Sequence, residues 1–190
     1  MENLEKRMYF FVPYNLSPIQ QAIQAGHAAL EYAVKYKNSS DFLEFAKKWK
    51  TWIILNGGTT NDQYLGRGVE GSLQSIYGAI DYHNDFCPDG QMVQFSTFRE
   101  PDLNNALTAI CFIVDERVFN YEDYPDFAEW IIEQEFIDED EKLNSYMDLK
   151  TKTEEDYKKL FPGMYPQWIR EMGGKKNVFL RQLLKGKKLA

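Results

Sequence analysis

The chain has 190 residues, 44% of them hydrophobic, with 13 Phe, 12 Tyr and 4 Trp and a net charge of −7. Such aromatic content excludes a disordered chain, and no apolar run reaches the ~20 residues that a membrane-spanning helix requires, so no membrane role is expected. The opening MENLEKRMYFFV lacks the long apolar segment and small-residue cleavage site of a secretory signal, and the expected location is cytoplasmic.

In chain order, residues 7–12, RMYFFV, make the first expected strand, ended by Pro13. A helix follows. Ser17 is its N-cap, Pro18 suits the first helical position, and Gln20 completes a Ser-x-x-Gln capping box. At 100° per residue Ile19, Ala22, Ile23, Gly26, Leu30, Ala33 and Val34 fall on one stripe, expected to pack on a sheet, with Ala22 and Gly26 allowing close approach. Gln20, Gln24, His27 and Glu31 line one flank and would give a groove beside the packed face its hydrogen-bonding groups.

A second helix is expected from Ser40 or Asp41 to Trp49, then a strand over 51–55 that NGGTTN (56–61) terminates. A third helix should cover about Val69 to His83, followed by a turn at Cys87–Gly90, a strand over 92–98 and a strand over 106–114. The last of these, ALTAICFIV, is apolar throughout and implies burial on both faces. Its link to the preceding strand is too short for a parallel crossover, so the pair should be antiparallel. This order describes an α/β fold, a three-layer sandwich with a small mixed four-stranded sheet, over residues 1–115.

Residues 116–190 form a helical extension with segments near 124–136, 153–160, 165–172 and 175–185; Trp130, Ile131, Phe136, Tyr165, Trp168, Phe179 and Leu183 are available to fasten it to the core. Its charge is divided: residues 116–156 carry net −11 and residues 157–190 net +8. These segments could meet each other, a protein partner or a second copy, so self-association through residues 116–190 is one expectation.

Candidate chemistry concentrates at the first helix and at the loop Arg99-Glu100-Pro101-Asp102-Leu103-Asn104-Asn105 before Thr108. No metal-ligand spacing is present, and Asp81 and His83 would lie on different helical faces. Cys87 and Cys111 stand alone and are expected as free thiols.

The element order, the stretch Leu16-Ser17-Pro18-Ile19-Gln20-Gln21-Ala22-Ile23-Gln24-Ala25-Gly26-His27-Ala28, and Asp102 with Thr108 ahead of the last strand resemble type II peptidyl-tRNA hydrolases. That family's first helix carries Met-Ser-Lys-Gly-Lys-x-x-x-Gln-x-x-His-Ala, and its later motif is Asp-Ala-Gly before a polar turn and a Thr-bearing apolar strand. Ser17, Gln24, His27 and Ala28 match the first motif and Asp102 and Thr108 the second, over about residues 7–115. The two family lysines fall on Pro18 and Gln20, and Asp-Ala-Gly has become Asp102-Leu103-Asn104.

The resemblance implies hydrolysis of the ester of peptidyl-tRNA or of a related aminoacylated substrate, without a cofactor or metal. Asp102 would orient or deprotonate water, His27 and Gln20 would assist catalysis, and Gln24, Thr108, Asn104 and Ser17 would hold the substrate. Gln20 carries no charge, and losing one preorganised oxyanion donor costs about a hundredfold or more in rate. The alternative is a relative without turnover that binds RNA or protein.

Overall fold

The computed structural model describes residues 4–60, 72–134 and 147–190. Four strands, β1 (Lys6–Val12), β2 (Thr51–Asn56), β3 (Phe95–Glu100) and β4 (Ala106–Asp115), form one mixed sheet in the order β2-β1-β4-β3. β1 and β2 are parallel; β1–β4 and β3–β4 are antiparallel, as the short link between the last two requires. The expected strand over 92–98 lies further along, at Phe95–Glu100.

Helix α1 (Pro18–Tyr36) and helix α2 (Ser40–Glu44), the latter continued by a π-helical turn over Phe45–Trp49, make the crossover from β1 to β2 and cover one face. Lys50, left-handed at φ 59°, ends that turn. Helix α3 (Leu73–Phe86) covers the opposite face; the expected helix start at Val69 and Asn61 of the NGGTTN break lie outside the described residues.

Alternation along the strands separates two cores. Met8, Phe10 and Val12 point to α1, where they meet Ala25, Ala28, Tyr32, Ala109 and Cys111. Tyr9 and Phe11 point to α3, with Leu73, Ile76, Ile80, Ile110 and Phe112. β4 is buried from Ala106 to Phe112, as its unbroken apolar run implies. Both cysteines are free, and burial pushes the Cys111 thiol up to about 12, against the opposing hydrogen bond with Ser96.

Beyond β4 come helices α4 (Glu116–Phe119), α5 (Phe127–Gln134), α6 (Glu154–Leu160), α7 (Met164–Glu171) and α8 (Lys175–Leu184). The expected end of a helix at 136, with Phe136, lies outside the described residues. Phe127, Trp130, Tyr165, Trp168 and Val178 belong to a third core within this extension. α8 is shared, because Leu180 packs into the α3-side core while Val178 serves the extension. The acidic and basic segments meet within one chain, where Asp126 accepts from Arg181 Nε at 2.6 Å and from Lys185 Nζ at 2.8 Å.

Although the chain after Asp115 offers no strand pattern, its last residues return to the sheet edge. Leu189 bridges Leu55, Asn56 N donates to Lys188 O and Ala190 N to Ile54 O, covering backbone groups that an edge strand otherwise leaves open.

Gly57 closes the β2 turn, donating its N–H to Val12 O at 2.8 Å. A Cβ there would stand 2.6 Å from Leu73 Cδ2 and 3.0 Å from Phe11 Cβ, two fully buried side chains with no free space to retreat into. Gly57→Ala is therefore expected to destabilise the fold by about 1–3 kcal/mol, read as a lower denaturant midpoint with unchanged slope.

Candidate functional site

The packed face of α1 is not the aliphatic stripe that the spacing predicts. The buried positions are Gln21, Gln24, Ala25, Ala28 and Tyr32. Ala25 and Ala28, rather than Ala22 and Gly26, allow the close approach to the sheet. Two glutamines are tolerated on this face because their amides are satisfied: Gln21 Nε2 donates to Pro13 O at 3.0 Å, and Gln24 is held at both ends.

Three successive contacts tie α1 to β3. Ser96 Oγ donates to Ala28 O at 2.7 Å, the His27 and Phe98 rings stand 4.4 Å apart, and Gln24 Nε2 donates to Glu100 Oε2 at 2.7 Å. Ser96, Phe98 and Glu100 are two residues apart along the strand, so the pleat turns all three toward the helix.

The fourth member of the cluster arrives by an irregularity. Phe98 pairs with Ala109 and Arg99 with Leu107, so Thr108 is skipped in the register and forms a β-bulge. Ala109 and Cys111 pack under α1, and strict alternation would point Thr108 to the other face. The bulge swings its hydroxyl back, and Thr108 Oγ1 donates to Gln24 Oε1 at 2.5 Å. The result is a chain Thr108–Gln24–Glu100 beside His27, whose Nδ1 is buried without a hydrogen-bond partner.

Gln24, His27 and Thr108 therefore do converge. Asp102 does not join them: it is exposed on a 3-10 turn over Pro101–Leu103, and Glu100, two residues earlier, supplies the carboxylate. Period-two alternation does not separate Glu100 from Asp102, which share one parity; Pro101, where β3 gives way to the 3-10 turn, leaves Glu100 in the pleat and Asp102 in the turn. Asn104 is exposed and left-handed at φ 54°, the conformation the turn requires and asparagine tolerates. Ser17 and Gln20 form the expected capping box, with Gln20 Oε1 accepting from Ser17 N at 3.0 Å and from Ser17 Oγ at 2.9 Å. The amide oxygen of Gln20 is thus committed to the helix start.

The cluster is closed to solvent at its centre, with Thr108 0% and Gln24 7% exposed. Cavities of about 310 and about 650 Å³ open elsewhere, one in the extension beside Trp168 and Arg181 and one between α3 and α8 beside His83 and Phe179. Neither is lined by Gln24, His27, Glu100 or Thr108. His83 is itself structural, stacked at 4.3 Å on Phe179 and bonded through Nε2 to Gln91 O. Among the described residues, no three His, Cys, Asp or Glu side chains group as metal ligands do, and no helix is long and apolar enough to cross a membrane.

What α1 does offer to solvent is its aliphatic stripe. Ile19 is 74% exposed, Ile23 49%, Leu30 67% and Val34 74%. Four large side chains stand in one line, opposite the face that packs on the sheet.

No family model matches this sequence, and no curated protein is similar to it.

Proposed function

We propose that this chain is a relative of the type II peptidyl-tRNA hydrolase fold that works by binding protein rather than by turnover, with the outward face of α1 as its working surface. The reading rests on one observation: Ile19, Ile23, Leu30 and Val34 are held in water along a single line. Contiguous apolar patches of this kind mark interaction surfaces on folded chains.

Ester hydrolysis has weaker support. Gln24 and Thr108 are engaged with each other, and no lysine or arginine among the described residues has a hydrogen bond to the cluster. A developing oxyanion would find no preorganised cation there. RNA binding meets the net charge of −7, since phosphate contacts need a positive surface, and Arg181 and Lys185 of the basic tail are already paired with Asp126.

Two measurements test the reading. Mixing with N-blocked aminoacyl-tRNA is expected to leave the ester intact; cleavage that disappears in Glu100→Gln or Asp102→Ala would overturn the proposal in favour of the hydrolase. A photo-crosslinking residue placed at position 23 is expected to trap protein in the cells that make the chain. Trapped RNA, or no adduct at all, would count against a protein-binding face.

A further inference from the structure

The spacing along α1 narrows the choice of partner. Ile19, Ile23, Gly26, Leu30 and Ala33 follow at intervals of four, three, four and three. This is the 3.5-residue repeat that keeps an apolar seam facing a second helix at a shallow crossing of about 20°. The same spacing also serves a helix that lies on a sheet, so the choice of a second helix rests on the symmetry of the seam.

The seam is also symmetric about its own middle. A two-fold axis between Gly26 and His27 sets Ile19 against Val34, and Ile23 against Leu30, of an antiparallel copy. Gly26 falls at the crossing point. A Cβ built there meets nothing within 4 Å, so the core of this chain does not require a glycine. Its presence in mid-helix nevertheless costs about 1 kcal/mol relative to Ala. A bare backbone at that point instead admits a neighbouring helix.

We propose that α1 packs antiparallel on α1 of a second copy, making a symmetric homodimer whose axis passes beside Gly26. This inference rests on the protein-binding reading and identifies the partner. The four exposed aliphatic residues present roughly 500 Å² per copy, so covering them completely would bury about 1,000 Å² for the pair, at the threshold for a biological interface. Charge does not oppose it: the chain carries −7, but α1 holds one Glu31 against Lys35, so like faces meet without the acidic excess of the extension.

Sedimentation velocity at about 50 μM, where a micromolar interface is occupied, is expected to give twice the monomer mass. Ile23→Lys combined with Leu30→Lys should halve that mass while leaving the circular dichroism spectrum unchanged, since both positions face solvent in the monomer. Gly26→Cys should form an intermolecular disulfide under mild oxidation, whereas Lys47→Cys, on the neighbouring crossover segment, should not.

A monomeric wild type, or a dimer that survives the double substitution, would overturn the proposal; the latter result would place the contact elsewhere, for example in residues 116–190. If the wild type is monomeric yet the crosslinker at position 23 traps another protein, the homodimer fails and the binding face stands. If neither association is found, both readings fall.

Discussion

Arg181→Ala is expected to destabilise the fold by about 3 kcal/mol, the low end of the range for removing one partner of a buried ion pair. Arg181 is 2% exposed, donates from Nε to Asp126 and from Nη1 to Arg117 O at 3.0 Å, and lies 3.7 Å over the Tyr121 ring. Its loss leaves a cavity, removes one donor from Arg117 O and weakens the hold on Asp126. The figure stays at the low end because the Asp126 side chain is 33% exposed and keeps Lys185. Arg181→Met, which restores volume without the charge, should recover part of the loss.

The same variant carries a pH signature. Burial alone would raise the Asp126 carboxyl, but hydrogen bonds from Lys185 and Arg181 outweigh it and hold the group below its ordinary value. Asp115 is lowered in the same way, by Arg117 and Asn177 against its burial. A lowered carboxyl contributes stability that is complete above its unfolded value of about 3.9 and is lost as the pH falls through the lower folded value. The wild type should therefore lose stability progressively below about pH 4. The difference between wild type and Arg181→Ala should be smaller at pH 2 than at pH 7, because below about pH 3.9 the unfolded carboxyl takes up a proton and the advantage of the lowered folded one shrinks. Denaturant melts at the two pH values measure this; an equal difference at both would mean that Arg181 acts by packing alone.

Phe127→Ala should cost about 3–5 kcal/mol, the range for emptying a buried aromatic site. The ring is 2% exposed and has neighbouring aromatic centroids at 4.7 Å (Tyr157), 5.0 Å (Tyr165), 5.7 Å (Phe161 and Trp168) and 6.0 Å (Trp130). Among the described residues no other ring of the extension core has as many aromatic neighbours, so its removal should loosen α5, α6 and α7 first. Hydrogen exchange should show these helices losing protection while β1 and β4 retain theirs, because the sheet cores do not include Phe127. Uniform loss across sheet and extension would instead mark one cooperative unit.

Much of the architecture was legible in consecutive residues. The Ser17 cap, Pro18 and Gln20 announce the start of α1; the unbroken ALTAICFIV announces a strand covered on both faces; and the seven residues between the last two expected strands, 99–105, are too few for a parallel crossover. Sequence spacing also placed Gln24, His27 and Thr108 among the polar candidates, and they meet. It did not separate Glu100 from Asp102, since the two share one parity and only the strand's end at Glu100, with Asp102 already in the turn, decides which one the pleat directs at α1.

The sequence by itself determined the order of the four strands, the main helices and the Ser17 cap of α1, because hydrogen bonding along the backbone and side-chain periodicity are settled within a few neighbouring residues. Which side of α1 faces the sheet was decided only in three dimensions. The helix is apolar on two opposite sides, and Ala25, Ala28 and Tyr32 win the sheet because small residues admit close approach and Gln24 finds partners 76 and 84 positions away. The bulge at Thr108 that completes those partners belongs to the pairing of two strands, and that pairing turns the longer aliphatic stripe out to water.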